Sequence, residues 1–451
     1  MKHLLLISCS LLFINMAAQE HFSGISTSKR VGILNVAVNP SELSNLKNKF
    51  EVQLFSTSIN VANNKIGFKD LTGSGDLEDL IFKGDKPVNF NLDTEFLGPG
   101  FAMKLLNWGF AITTKGHIKA NIVDVDTNLG SAITNNVLNS IDGTSTISYN
   151  NNQRINATTW GEVGFSVAHK IFKNDKHSIH GGITLKLLFP GSYTNIGMGN
   201  FNGTITDDNN GHLYLSDANA NMNIAYSGNF ANGFKETSDY TKSLFGNLKG
   251  MATDIGVNYQ LKGLGKSYKL KVGAAIKNMG SMTFSGNDNV SRNYKLKIDP
   301  ATPANRGLDL NVFTNVDGSK SIEKVLLDSG YLTLQEGEKD FKIKLPTVLN
   351  LYADFNIISK VNLTLFLQQK TNNNNKNNQI TSQNIFSVTP RISLGYFEAY
   401  IPVSFNEISG TNGGFGFRVG GFFLGSNSII TALSSDSKQV DFYTGFRWGF
   451  L

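Results

Sequence analysis

Seven basic residues are the side chains of this sequence most able to act together: Lys186, Lys269, Lys271, Lys277, Arg391, Arg418 and Arg447. Each falls on the polar side of a stretch in which apolar and polar residues alternate, and Tyr352 and Tyr400 share that side. Guanidinium forks grip carboxylates through paired N–H donors, and a neighbouring apolar surface would take a hydrocarbon tail. Such a cluster could hold an amphipathic anion. The same residues also suit an ordinary wet lining, paired with Asp354, Glu398 or Glu162.

Signals for catalysis are poor. The 7 histidines are scattered and form no His-Glu-x-x-His pair. His177 and His180 lie three apart on an extended stretch, hence on opposite faces, which is wrong for shared metal ligation. There is no Gly-x-Ser-x-Gly elbow. Gly414-Phe415-Gly416 and Gly197-Met198-Gly199 lack the strand-turn-helix context and following Lys-Ser/Thr of a nucleotide loop. No catalytic residue, metal site or cofactor is expected. The formal charge of +6 is spread thinly, without a dense basic run interleaved with aromatics, so nucleic acid is not an expected partner.

The elements that must position these residues are strands. In Asp441–Leu451, Phe442, Thr444, Phe446, Trp448 and Phe450 fall on one face, and Tyr443, Gly445, Arg447 and Gly449 on the other. Ile179, Ile183, Leu185, Leu187 and Phe189 oppose His180, Thr184 and Lys186. Tyr268, Leu270, Val272, Ala274 and Ile276 oppose Lys269, Lys271, Gly273, Ala275 and Lys277. Leu349, Leu351, Ala353, Phe355 and Ile357 oppose Asn350, Tyr352, Asp354 and Asn356, and Val361, Leu363, Leu365 and Leu367 repeat the pattern.

About 14 wall strands are predicted, an even number as single-chain bacterial barrels require: Phe50–Val61, Asp93–Lys104, Trp108–Lys119, Ile155–Lys170, Ser178–Pro190, Met251–Leu261, Ser267–Asn278, Thr347–Ile357, Val361–Lys370, Asn384–Tyr396, Glu398–Asn406, Gly414–Leu424, Ser428–Leu433 and Gln439–Phe450. Short connections at Leu105–Asn107, Ile171–His177, Lys262–Lys266, Ser359-Lys360, Phe397 and Gly425–Asn427 alternate with mostly longer ones. The longer ones are Ala62–Leu92, Ala120–Arg154, Gly191–Gly250, Met279–Pro346 and Thr371–Gln383. Loops segregated by end are a property of outer-membrane barrels, and a soluble sandwich has no reason to show it. Within the long loops, His212–Leu215 and Tyr294–Ile298 alternate, Ser321–Asp328 fits one or two helical turns, and Asn372–Asn378 reads as a solvated tip with nothing to bury.

Composition agrees with a barrel. Only 17% of residues are charged, Gly (45) and Phe (32) are abundant, Pro is scarce, and the mean hydropathy of −0.15 is too polar for a helical membrane protein. Lys2 and His3 precede an apolar run from Leu4 to Phe13 with Ala17 and Ala18 behind it, the layout of a cleavable export signal over residues 1–19. That run is shorter than the ~20 residues a spanning helix needs. Leu6-Ile7-Ser8-Cys9 resembles a lipoprotein box, but cutting there leaves only Leu4–Ile7 as the apolar core, so Cys9 is taken as part of the discarded signal. The mature chain then has no cysteine.

Residues 20–49 precede the first strand. They contain Gly32-Ile33-Leu34-Asn35 and the pair Asn39-Pro40, and this segment resembles the N-terminal hatch of the FadL-type family, with Ser41 where alanine is usual. The phrases Met251–Tyr259, Ala275–Gly280 and Gly420–Ser428 also look like an exported group of Gram-negative barrels related to FadL and to the PorV-like shuttle barrels of type nine secretion. The resemblance implies an all-β transmembrane antiparallel barrel over residues 50–451 in the Gram-negative outer membrane, with Gly32, Asn35, Asn39 and Pro40 marking a lumenal plug. A plug has a physical rationale, since a wall of 14 strands leaves an interior too wide for its own side chains to fill. Val31, Ile33, Leu34, Val36 and Val38 favour it over a solvated tail.

The expected function is binding or passive passage of a hydrophobic or amphipathic small molecule. The alternative is a non-transporting barrel that docks or shuttles in protein secretion or surface assembly. Expected partners are outer-membrane lipid, the barrel-assembly machinery reading Tyr443, Gly445, Trp448 and Phe450 as an insertion signal, an anionic amphipathic ligand, or secretion-system proteins. A continuous apolar tunnel or a lateral gap in the wall would favour transport. A sealed lumen with an apolar loop patch would favour docking.

Overall fold

Alternation of faces makes this chain a wall that closes on itself. The computed structural model describes residues 21–28, 30, 32–73, 77–138, 140, 142–232, 246–263, 268–286, 289–314, 316–434 and 436–450. The expected export signal and Cys9 lie outside the described residues, as do Val31, Lys266 and Ser267. Fourteen antiparallel wall strands follow in chain order: β1 Phe50–Asn63, β2 Val88–Leu97 continued by Gly100–Leu105, β3 Trp108–Val125, β4 Gln153–Lys173, β5 His177–Asp207, β6 Gly250–Lys262 and β7 Tyr268–Phe284. The circuit continues with β8 Val348–Ile358, β9 Val361–Lys370, β10 Ile385–Leu394, β11 Phe397–Tyr400 with Val403–Asn406, β12 Gly410–Gly413 with Phe415–Val419, β13 Phe422–Ser426 and β14 Gln439–Phe450.

Each strand bonds to the next, and β1 closes the ring on β14, with Phe50 opposite Phe450 and Ala62 opposite Gln439. Closure leaves no sheet edge, which is the condition for strands to stand in hydrocarbon. Ile112, Phe165, Leu185, Ile255, Phe405, Phe442 and Trp448 are exposed on the outer face, while their neighbours in sequence, among them Lys186, Asp254 and Arg447, are buried on the inner one. No described helix is long and apolar enough to cross a membrane. Tight turns at Leu106-Asn107, 174–176, Ser359-Lys360, Gly395-Tyr396 and Gly420-Gly421 gather at the end that carries both ends of the wall, and the long connections at the other.

Two sequence expectations fail locally, and their errors cancel in the strand count. Gly414–Leu424 is not one strand: Phe415–Val419 turns back into Phe422–Ser426 at Gly420, whose φ of +58° suits a residue without a side chain. The outward residues Phe415, Phe417 and Val419 change phase before Phe422 and Leu424, and that slip marks the turn. Ser428–Leu433 is not a strand either. Ile429–Ser434 is helical, and Ile429 and Ile430 are adjacent rather than alternating.

The long loops build a second layer outside the wall. Strand β5 runs on past Pro190 to Asp207, and its outer half carries Thr144–Tyr149 on one side and Leu213–Ser227 on the other. Val290–Ile298 and Leu332–Glu338 extend that sheet. Phe201, Ile205, Leu215, Ile224, Leu296 and Leu326 form its core, with the helices Thr127–Thr134 and Ser319–Asp328 packed on it. The cap has a hydrophobic cluster of its own, and it stays joined to the wall through β5 and through Ala225, which packs with Trp160 and Tyr193.

One carboxylate organises the cap. Glu323 is buried and accepts from the hydroxyls of Tyr226 (2.9 Å) and Tyr294 (2.5 Å) and from Arg292 (3.1 Å). Burial, reinforced by the bond to Glu323, pushes the Tyr294 hydroxyl up to about 12. In Glu323→Ala each stranded hydroxyl is expected to cost about 1–3 kcal/mol. Limited proteolysis should cut the cap at least about tenfold faster, since ~1.4 kcal/mol is tenfold in an opening equilibrium, while the barrel keeps its heat-modifiable gel mobility. Unchanged cleavage would show that Glu323 does not hold the cap.

Candidate functional site

The segment inside the ring is built from two short 3-10 helices, Gly32–Ala37 and Pro40–Asn45. Asn39 starts the second one. It is fully buried, its Oδ1 accepts from the Ser41 backbone N–H (2.9 Å), and Pro40 follows it, where a missing N–H costs nothing. The Asn39 amide donates outward to the carbonyls of Val257 on β6 (2.9 Å) and Ala274 on β7 (3.2 Å). The wall has no side chains where this turn touches it: a Cβ on Gly256 would lie 2.1 Å from Asn39 Oδ1, and one on Gly182 2.5 Å from the Pro40 carbonyl carbon. At the first helix, Gly32 has φ +63° and would drive a Cβ into the Glu51 carboxylate, which accepts from the next backbone N–H, that of Ile33 (2.9 Å).

Further contacts run round the ring. Ser28 donates to Glu398 on β11 (2.8 Å), and Asn350 on β8 to the Val38 carbonyl (3.2 Å). Ser44 bonds His180 on β5 (2.7 Å), Tyr443 on β14 donates to the Ser23 carbonyl (2.7 Å), and Tyr352 on β8 donates to Glu42. Asn35 donates to the Ser28 carbonyl within the segment (3.0 Å). Ile33, Val36, Leu43 and Leu46 pack on the inward alanines Ala102, Ala111 and Ala168.

Six of the seven basic residues singled out in the sequence face inward. Lys186 meets Asp254 (2.9 Å) and Glu162 (3.6 Å). Lys271 meets Glu42 of the inner segment (3.1 Å). Arg391 lies between Asp354 (3.0 Å) and Glu398 (3.2 Å), Arg418 meets Glu398 (3.0 Å), and Arg447 meets Glu51 (3.4 Å). Lys277 has no carboxylate within 4.0 Å among the described residues, Asp254 being paired with Lys186; it lines an inner cavity of 80 Å³. Lys269 does not point inward but is exposed. A bulge between Tyr268 and Leu270 makes it the extra residue, and Tyr268 turns inward instead to donate to Asp354. The six do not meet at one place: Arg391, Arg418 and Arg447 serve the short-turn end, and Lys186 and Lys277 lie deeper.

Around the cavity stand side chains that sequence reasoning passed over. Lys115, His117 and Lys119 alternate inward on β3 and face Glu95 and Asp93 of β2. The His117 ring stacks on Trp160 with centroids 4.3 Å apart and reaches Glu162 at 3.6 Å. The signal was present, because Lys115, His117 and Lys119 occupy every second position of a predicted strand. Phe22, Val38, Trp160 and Phe366 supply apolar surface to the same cavity. Among the described residues no group of three or more His, Cys, Asp and Glu is arranged to hold a metal ion.

The asparagine tract departs from expectation. It is not a free loop tip: the buried Arg154 guanidinium of β4 donates to the carbonyls of Asn374 (2.7 Å) and Gln379 (3.1 Å), and Tyr193 of β5 donates to that of Asn377 (2.9 Å). This loop leaves β9 and returns to β10, while β4 and β5 stand across the ring, so 371–384 reaches over the long-loop mouth. Asparagine suits that role because its backbone and amide both bond to polar neighbours in a half-buried place.

A family model described as a family of unknown function, DUF5723, matches residues 40–427. The chain belongs to the DUF5723 family. No curated protein matches it. Among solved structures, this DUF5723 barrel is similar to a TodX monoaromatic hydrocarbon channel mutant (9% identity, 97% of this chain and 99% of that one, TM-score 0.49). It is also similar to the Pseudomonas putida toluene transporter TodX (8%, 93% and 94%, 0.42) and to the translocator domain of the autotransporter NalP from Neisseria meningitidis (8%, 89% and 89%, 0.32). The ring of fourteen strands and its apolar outer band, read from the chain's own pairings, are the architecture by which bacterial chains cross an outer membrane with strands.

Proposed function

We propose that this DUF5723 barrel binds an anionic amphipathic solute in its lumen and passes it across the Gram-negative outer membrane when residues 21–46, acting as a plug, are displaced. One observation carries the proposal. Lys277 has no carboxylate within ion-pair distance among the described residues, and it lines a cavity that also has an apolar wall. A poorly hydrated, unpaired ammonium is costly, and an anion would offset that cost. Val38 and Phe366 would take the tail. At 80 Å³ the cavity admits little more than a head group, so a longer ligand enters only as Ala37 and Val38 of the inner segment yield.

The test is titration of the mature barrel in maltoside detergent with decanoate, alongside mass spectrometry of copurified lipid. Lys277→Met should weaken decanoate binding about tenfold, because a charge-assisted hydrogen bond contributes roughly 1.5–3 kcal/mol. Equal binding by the variant would remove Lys277 from the site, and no binding by either protein would remove the site.

A second reading, a docking or shuttle component of protein secretion or surface assembly, is favoured by the cap, which adds a hydrophobic core beyond the wall. A stoichiometric protein partner that is lost with the cap, in a preparation free of bound amphiphile, would select it.

A further inference from the structure

We propose a phosphate-binding site at the short-turn mouth, separate from the Lys277 cavity. A cavity of 590 Å³ opens there between the turns Gly395-Tyr396 and Gly420-Gly421 and the end of β14. It exists because β13 pairs with β14 only from Phe422 to Gly425, opposite Phe446 to Tyr443, so Arg447, Trp448 and Gly449 run on beyond the neighbouring strand. The cavity therefore touches both the lumen and the outer surface of the wall.

Its charge is one-sided. Arg30, Lys47, Arg418 and Arg447 line it against Glu51, with Glu398 behind Arg418, so cations outnumber carboxylates. Arg418 and Arg447 are only 4% and 6% exposed, so their guanidinium groups are fixed parts of the wall. Arg418 uses Nε on Glu398 (3.0 Å) and Nη1 on the Gly420 carbonyl (2.6 Å), and its buried Nη2 has no acceptor. Arg447 reaches Glu51 through Nη1 (3.4 Å), and its buried Nε has none. Buried donors without acceptors are rare in native proteins and call for a ligand, ion or water. Two orphaned guanidinium donors flanking one net-positive cavity call for an oxyanion with several acceptor oxygens, and the planar guanidinium fork matches phosphate.

That phosphate has two possible sources, a free phosphate and the head group of a phospholipid in the adjoining leaflet. Exposed Trp448 and Tyr396 at the rim, residue types that settle at the level of lipid head groups, make the second source accessible. The lipid source rests on the outer-membrane placement proposed above; the phosphate chemistry does not.

The full mature barrel in maltoside detergent is titrated with inorganic phosphate and, separately, with dihexanoyl phosphatidylglycerol, followed by 31P line broadening. Saturable broadening is expected, about tenfold weaker in Arg447→Gln and Arg418→Gln, with Lys277→Met unchanged because it lies in the other cavity. Response to both ligands assigns a general phosphate site, and response to the lipid alone assigns a head-group site. Because Arg447→Gln strands Glu51 and could impair folding, the wild type is also treated with phenylglyoxal, where either ligand should protect the more accessible cavity arginine, Arg30, from modification. No saturable broadening, or no protection, overturns the proposal, as would loss of phosphate binding in Lys277→Met with both arginine variants unaffected.

Discussion

The double variant Trp448→Lys, Phe450→Lys should be lost from the outer membrane and accumulate as unassembled, protease-sensitive chain. Trp448 and Phe450 are 62% and 45% exposed on the outer face of β14, the strand that closes the ring. A lysine on the lipid face of such a wall costs about 2–4 kcal/mol at mid-membrane and less near an interface. Both positions lie near the short-turn end, so the direct cost is roughly half of that each, and the lost packing adds to it. Phe450 stacks on Phe50 with centroids 5.7 Å apart, and Phe50 stacks in turn on Phe101 (6.2 Å), so one substitution loosens the seam among β14, β1 and β2. The measurement is the heat-modifiable, membrane-associated fraction compared with wild type. A normal level of folded variant would contradict the outward assignment of this face.

The four residues taken as the insertion signal do not share a face. Tyr443 and Gly445 point inward, where the Tyr443 hydroxyl holds Ser23 and a Cβ on Gly445 would meet Ser56 Oγ at 2.1 Å. The seam variant therefore reports on the outer face, its lipid contact and its aromatic packing, and not on the lumen. Changes at Tyr443 would instead report on the inner segment.

How much of this was legible in the sequence follows from range. Period two is a local property, so the faces of β5, β8, β9 and β14 could be read from residues a few positions apart. Local reading failed where one residue breaks the phase, as at Lys269 in its bulge and at the Gly420 turn, because a single inserted residue leaves composition unchanged. It failed more widely in the cap. Partners in Val290–Ile298 and Leu213–Ser227 are 64 (Val290 and Tyr226) to 80 (Ile298 and Ala218) positions apart, and the pairing that makes them one sheet depends on β5 continuing through Pro190. The inner segment lay between these extremes: the Asn39-Pro40 pair marked it through its resemblance to a hatch, whereas its acceptors, the Val257 and Ala274 carbonyls, are backbone groups without any sequence signature.

Deleting residues 24–46 should convert a closed barrel into one that conducts. With the segment removed, a ring of fourteen strands encloses more space than inward side chains can fill, and that space takes up water. Lys271, Glu51, Tyr352 and His180 lose their partners in the segment together, but each would then be hydrated, so the ring should stay assembled. Discrete ion-conducting events in planar bilayers, absent from the parent, are the expected readout. The loop 371–384 sets the limit: Arg154 and Tyr193 still tether it over the opposite mouth, so the open state should flicker. Adding Arg154→Ala, which frees the Asn374 and Gln379 carbonyls, should lengthen the openings. A milder form of the experiment, Asn39→Ala, removes a helix cap contributing ~1 kcal/mol and the donor to two wall carbonyls, and should give rare openings with the ring intact. A deletion variant that folds but never conducts would mean that the lumen is blocked elsewhere, and it would shift the balance of function from passage to docking.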